Sequence, residues 1–187
     1  MNEEELKQPN MREKILNIGK EVINLEATEI VKVANNLTDD FVNAVITLSK
    51  IKGRLIVTGL GKSGLIGKKI AATLTSVGTS SIFLHPVEAL HGDIGVVSKS
   101  DILLAISYSG ETDEMLRLIP FFKKKKNFII SMTNNKISTL SKNSDCHLNI
   151  KVEKEACPYS LAPTSSTTAT LVLGDALAVA LMKINNF

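Results

Sequence analysis

The chain has 187 residues, 44% hydrophobic and 22% charged, with a formal net charge of +3 and a pI near 8.8, totals that suit one soluble domain able to bury its own core. Aromatic residues make up only 4%, with no Trp, which argues against a surface that stacks nucleic-acid bases. Two cysteines, Cys146 and Cys157, give neither a disulfide framework nor metal-ligand spacing, so a reducing, cytoplasmic setting and no metal site are expected.

Residues 1–10 carry acids and no apolar stretch, unlike a signal peptide, and are expected to form a flexible tail. From residue 11 to about residue 37, Ile15, Ile18, Val22, Leu25, Ile30 and Val33 recur at helical spacing. This predicts a long helix with apolar surface for a partner subunit as well as for its own domain. Thr38 followed by Asp39 and Asp40 is a capping hydroxyl with first-turn acids, so a second helix begins there and closes by Gly53. Five apolar runs then alternate with helix-like segments, at 54–58, 80–84, 101–107, 127–133 and 147–152. Alternation of this kind predicts an α/β fold, a five-stranded parallel sheet between two helical layers. The lysines at 123–126 fall at the end of a predicted helix, where cations complement the dipole, and are read as a solvated helix end rather than a nucleic-acid patch. No membrane span is expected, because Asp175 interrupts the most apolar helix.

In such a sheet, ligands bind beyond the carboxyl ends of the strands. The loop after the first strand run, GLGKSG at 59–64, is a glycine turn leading into a helix, whose free N–H groups attract an anion. Gly59, Gly61 and Gly64 match a dinucleotide-binding pattern, but its acidic ribose partner is missing unless Glu88 serves. An ATP-type loop would need glycine where Ile56 stands. A phosphorylated metabolite fits better, and two further loops are rich in hydroxyls. Ser107, Ser109 and Thr112 precede one helix, and Ser165, Ser166, Thr167 and Thr168 open another behind Pro163. Gly61, Ser63, Ser107, Ser109, Thr112, Ser165, Ser166 and Thr167 are therefore the candidate phosphate- and substrate-binding residues. Ordinary helix capping by Ser109 or Thr112 is the plainer alternative.

GLGKSG at 59–64, HPVEALHGDIG at 85–95, SYSGETDE at 107–114, KEACP at 154–158 and LAPTSSTTATLVLGDALAVAL at 161–181 together resemble the sugar isomerase (SIS) domain of bacterial arabinose 5-phosphate isomerases. The resemblance runs through the chain from the first helix onward. It implies a single SIS domain over 1–187, a phosphosugar substrate, no cofactor and a homotetramer, with no nucleic-acid or membrane partner. It also implies interconversion of D-arabinose 5-phosphate and D-ribulose 5-phosphate on the route to the lipopolysaccharide sugar Kdo. Two departures stand out: the paired CBS regulatory domains of most relatives have no counterpart here, nor has the histidine of their Leu-Ser-His-Pro-Gly-Gly segment.

Aldose–ketose isomerisation passes through an enediolate and needs a base, a proton source and a positive group near the developing charge. The resemblance points to Lys62, Glu114, Glu155 and His91 as the catalytic set. Lys62 is either a phosphate counter-charge or the enediolate stabiliser, with the second preferred. Glu155 is preferred as the carbon-proton base with Glu114 as helper, and the reverse assignment stays open. The plainer roles are a helix-dipole acid for Glu114 and a solvated acid for Glu155. His91, with Glu88 and Asp93 beside it to set its tautomer, is assigned to ring opening, contributed to a neighbouring subunit's site. Cys157 is read as packing, and His85 as a strand-end residue. A hexulose 6-phosphate isomerase and a non-catalytic phosphosugar sensor are the alternatives.

Overall fold

The computed structural model describes residues 9–187. Helix α1 (Pro9–Asn35) is followed by α2 (Asp39–Ser49), β1 (Leu55–Gly59), α3 (Gly61–Ser76) and β2 (Ser81–Phe83). Next come α4 (Pro86–Leu90), a 3-10 turn (Asp93–Val96), β3 (Ile102–Ile106), α5 (Asp113–Lys125) and β4 (Phe128–Thr133). The chain ends with α6 (Thr139–Lys142), β5 (Cys146–Asn149) and α7 (Ser165–Ile184). Of the predicted tail, Pro9 and Asn10 are already helical, and residues 1–8 lie outside the described residues. Thr38 caps α2 as its sequence suggests, accepting from the Asp40 amide.

The five strands pair in parallel in the order β2-β1-β3-β4-β5. Alternation along the strands divides the interior into two cores. Leu55, Val57, Leu104, Ile106, Ile130 and Met132 face α2, α3, α7 and Val33 of α1. Ile56, Leu103, Ala105 and Ile129 face α4, α5 and Leu140 of α6. This is the expected three-layer sandwich. The last strand is shorter than expected, because Asn149 Oδ1 accepts the Lys151 amide at 2.9 Å and turns the chain out of the sheet.

Helix α7 corrects one expectation: by length and composition it is apolar enough to cross a membrane. Its apolarity is explained by packing, since Ala169, Leu173, Leu177 and Leu181 are buried in the core and Asp175 pairs with Lys69 of α3 at 2.5 Å. Gly174 permits the close approach of α3 and α7, as a Cβ there would stand 2.5 Å from the Ile70 side chain.

The strand order reverses between β1 and β3, so the connections leaving their carboxyl ends diverge and open a crevice. The loop from β5 to α7 comes back over this crevice. Topology alone thus gathers the three loops that sequence composition singles out.

Candidate active site

Two glycines of the first loop have separate tasks. Gly61 takes φ +58°, in the left-handed region, with open space where a side chain would go. Gly64 lies so close to β1 that a Cβ would stand 2.5 Å from the Gly59 carbonyl oxygen. The turn seats the start of α3 directly on the end of β1. Leu60, its N-cap, offers no side-chain acceptor, so the first-turn N–H groups remain available to an anion.

In the second loop the hydroxyls are tied to one another. Ser107 Oγ lies 2.9 Å from Thr112 Oγ1 and accepts the Gly110 amide at 3.1 Å. Ser109 Oγ accepts the Glu111 amide at 3.2 Å. Thr112 is the N-cap of α5, yet its side chain makes no cap bond; the simple capping alternative therefore does not account for its hydroxyl. Glu111 anchors the loop from outside, accepting the Thr139 amide at 2.7 Å, and that bond holds its carboxyl below the usual range.

The third loop is organised on Glu155. Its Oε2 accepts the Thr164 amide at 2.7 Å, the Thr164 hydroxyl at 2.9 Å and the Ser166 amide at 3.3 Å. Burial alone would raise its pKa; the hydrogen bonds from Ser166 and Thr164 outweigh burial and lower it. Glu155 is therefore half-buried and anchored at a helix N-terminus, not the solvated acid of the plainer reading.

These loops enclose a cleft of ≈ 370 Å³. Of the predicted residues, Lys62, Ser63, Glu155, Ser166 and Thr167 line it. Gly61, Ser107, Ser109, Thr112, Glu114 and Ser165 stand outside its lining. Ser165 is fully buried with an unpartnered Oγ, and Thr168 is turned away toward Glu26 of α1, 2.7 Å from its Oε2. Glu114, in the first turn of α5, is half-buried. His91 is the exposed C-cap of α4. Its ring makes no hydrogen bond to Glu88 or Asp93, so the idea that they set its tautomer fails in the single chain. Cys157 is half-buried in the third loop, its thiol pKa lowered by the backbone N–H of Ala162 and then of Tyr159 and Leu161. His85 caps α4 edge-on to Phe83, with a buried, unpartnered Nδ1.

Sequence reasoning missed Tyr108, Thr164 and Thr170. Tyr108 lines the cleft, and its phenol bridges the Val152 carbonyl (3.4 Å) and amide (3.3 Å), fixing the chain as it leaves β5. A lone Tyr in a hydroxyl-rich loop gives no sequence signal of that role. Thr164 carried a usable one: a threonine just before a helix that opens with further hydroxyls. A second cleft of ≈ 370 Å³ sits at the amino ends of β4 and β5, beside Lys123, Lys126 and Lys142. Two helices end there, and the lysines complement their carbonyl ends; none of the predicted site residues lines this second cleft.

A family model described as the SIS domain matches residues 47–180. The chain is 49% identical over 172 residues to the probable arabinose 5-phosphate isomerase of Haemophilus influenzae, covering 92% of this chain and 51% of the relative. It is 50% identical over 169 residues to the arabinose 5-phosphate isomerase KdsD of Yersinia pestis, covering 90% of this chain and 52% of that one. The chain thus spans about half the length of the curated relatives it matches. Among solved structures, a protein of Escherichia coli CFT073 in complex with arabinose 5-phosphate superimposes with a TM-score of 0.89 at 38% identity, covering 100% of this chain and 95% of that one.

Proposed function

The chain belongs to the SIS domain family, and from that premise we propose that its cleft interconverts D-arabinose 5-phosphate and D-ribulose 5-phosphate, in the supply of the lipopolysaccharide sugar Kdo. The observation that carries this reading is that Lys62 and Glu155, far apart in sequence, line one cleft with the hydroxyl residues Ser63, Ser166 and Thr167. The names of the relatives support the choice of substrate.

The reaction takes a proton from C2 of the aldose, passes through an enediolate and returns a proton to C1. Glu155 is the base. Its Oε2 is committed to Thr164 and Ser166, which leaves Oε1 to take the carbon proton. Hydrogen bonding keeps the carboxyl ionised but makes it a weaker base, so stabilisation of the enediolate oxygen must supply much of the rate. Lys62 supplies that charge. The phosphate is held by Ser63 and the amides that open α3, and the Ser107, Ser109 and Thr112 loop, outside the cleft lining and bonded within itself, would have to turn its hydroxyls inward to join them. Glu114 assists proton transfer at oxygen.

Arabinose 5-phosphate is mostly a closed furanose, so ring opening needs its own acid and base. His91, exposed and outside this chain's cleft, fits that task from a neighbouring subunit. The same reading makes the protein a cytoplasmic homotetramer, with the exposed Ile15, Leu16, Ile18 and Ile23 of α1 covered by another copy. Incubation with arabinose 5-phosphate in deuterated water tests the activity: ribulose 5-phosphate carrying solvent deuterium is expected. Absence of product at every pH overturns the reading.

A further inference from the structure

Helix α1 has 27 residues, of which only Glu29 and Val33 are buried. Glu29 is 3% exposed. A buried carboxylate costs several kcal/mol unless it is well paired, and a helix that needed only adhesion would place an apolar side chain there. Glu29 is fully occupied: Oε1 accepts Lys32 Nζ at 2.9 Å and Oε2 accepts the backbone amide of Glu153 at 2.7 Å. Lys32 pairs in turn with the Glu153 carboxylate.

Near the start of the same helical turn, Glu26 Oε2 accepts the Thr168 hydroxyl at 2.7 Å. The two glutamates therefore grip the chain on either side of the segment that carries Glu155 and Thr164. The amide of Glu153 lies beyond the end of β5, where the sheet offers it no partner. Glu29 replaces the missing strand.

We propose that Glu29 is a positioning residue for Glu155: by holding the backbone at Glu153 it keeps the Glu155 carboxylate on Thr164 and Ser166 and against the cleft. This rests on the isomerase reading given above. A misplacement of about 1 Å at a reacting group costs on the order of 100-fold in rate, so a grip two residues away suffices to control turnover.

The test compares Glu29→Leu and Glu29→Gln with the parent protein in turnover of arabinose 5-phosphate, thermal unfolding and amide hydrogen exchange over residues 153–158. Glu29→Leu is expected to lower kcat about 10-fold or more while KM changes less than about 3-fold, and to speed exchange in that segment. Glu29→Gln keeps an acceptor for the Glu153 amide and should hold kcat within about 3-fold of the parent. In a Glu155→Gln background, Glu29→Leu should cost less than about 2-fold more, because its effect passes through the carboxylate already removed. Parental kcat in Glu29→Leu, or an equal loss in the Glu155→Gln background, overturns the proposal. If Glu29→Leu does not fold, Glu29→Ala, which admits water beside Lys32, carries the same comparison. A parent protein without turnover overturns the isomerase reading, whereas unchanged exchange over 153–158 overturns the grip itself.

Discussion

The carboxylate of Glu155 and the N-cap residue of α7, Thr164, form one hydrogen-bonded unit. Oε2 accepts the Thr164 amide at 2.7 Å and its hydroxyl at 2.9 Å, and that hydroxyl accepts the Ala156 amide at 2.8 Å. The acid therefore stands at the positive end of a helix, where its charge is favoured. Its direction is set by the fold and not by a flexible loop, and the proposed chemistry depends on that arrangement.

Removing the Thr164 hydroxyl should uncouple the two. Thr164→Val leaves the Ala156 amide without its acceptor and Glu155 with one donor fewer, at a cost of about 1 kcal/mol in stability. Turnover should fall about 10-fold, while Thr164→Ser stays near the parent. Urea unfolding and steady-state kinetics on the two variants check both statements. Equal kinetics for Val and parent would show that the amide bonds alone fix the carboxylate.

Glu155→Gln keeps the shape of the side chain and removes the base. Turnover should drop ~100-fold or more with substrate binding largely intact, as expected for loss of a general base. Binding by calorimetry and kcat from the deuterium assay separate the two effects. If the variant retains most of the parental rate, the base lies elsewhere, and Glu114 is the next residue to substitute.

Much of this was legible in the chain. Strand and helix alternation is strong because buried parallel strands are continuous apolar runs and the helices show one-sided patterns. The five strands fall within the expected stretches, apart from displaced ends. Loop composition and family resemblance mark Lys62, Ser63, Glu155, Ser166 and Thr167 as site residues, and these five line one cleft. Tyr108 and Glu29 left no comparable trace. Tyr108 acts through a single phenol reaching 44 residues along the chain to Val152, and Glu29 through a carboxylate reaching 124 residues to Glu153. Neither separation is periodic, and on a sequence wheel a buried glutamate in a polar helix looks like any solvated one.

The glycines of the first loop should separate by mechanism. An added Cβ at Gly64 would press on the backbone of Gly59 at 2.5 Å, so Gly64→Ala must lift the start of α3 from β1. That should cost about 1–3 kcal/mol, move Lys62 and Ser63, and raise KM for the phosphosugar. Gly61→Ala meets open space and pays only for its φ of +58°, about 1–2 kcal/mol, with KM close to the parent. Denaturant unfolding and kinetics of the two variants test the contrast; a parental KM in Gly64→Ala would mean that the phosphate is not held by the start of α3.

His147 makes stability depend on pH in a window separate from the carboxylates. Its Nε2 lies 2.9 Å from Thr133 Oγ1 and 3.3 Å from the Thr133 carbonyl oxygen, behind the end of β4. Burial lowers its pKa from the ordinary 6.5; the Thr133 bond and the charge of Asp40 oppose this, while Lys136 adds to it. Below pH 6.5 the unfolded chain therefore takes up a proton that the folded protein still refuses, so the unfolded state gains as pH falls. The stability that His147 allows is complete above the unfolded value and is lost as pH drops from 6.5 toward the lower folded pKa. Glu29, Asp101 and Glu155, all held below their ordinary carboxylate values, titrate further down. Thermal unfolding between about pH 7.5 and 5.5 should show a falling midpoint in the parent and a flatter dependence in His147→Gln, which keeps a polar partner for Thr133 and cannot titrate. Equal slopes in the two proteins would assign the proton uptake to a group other than His147.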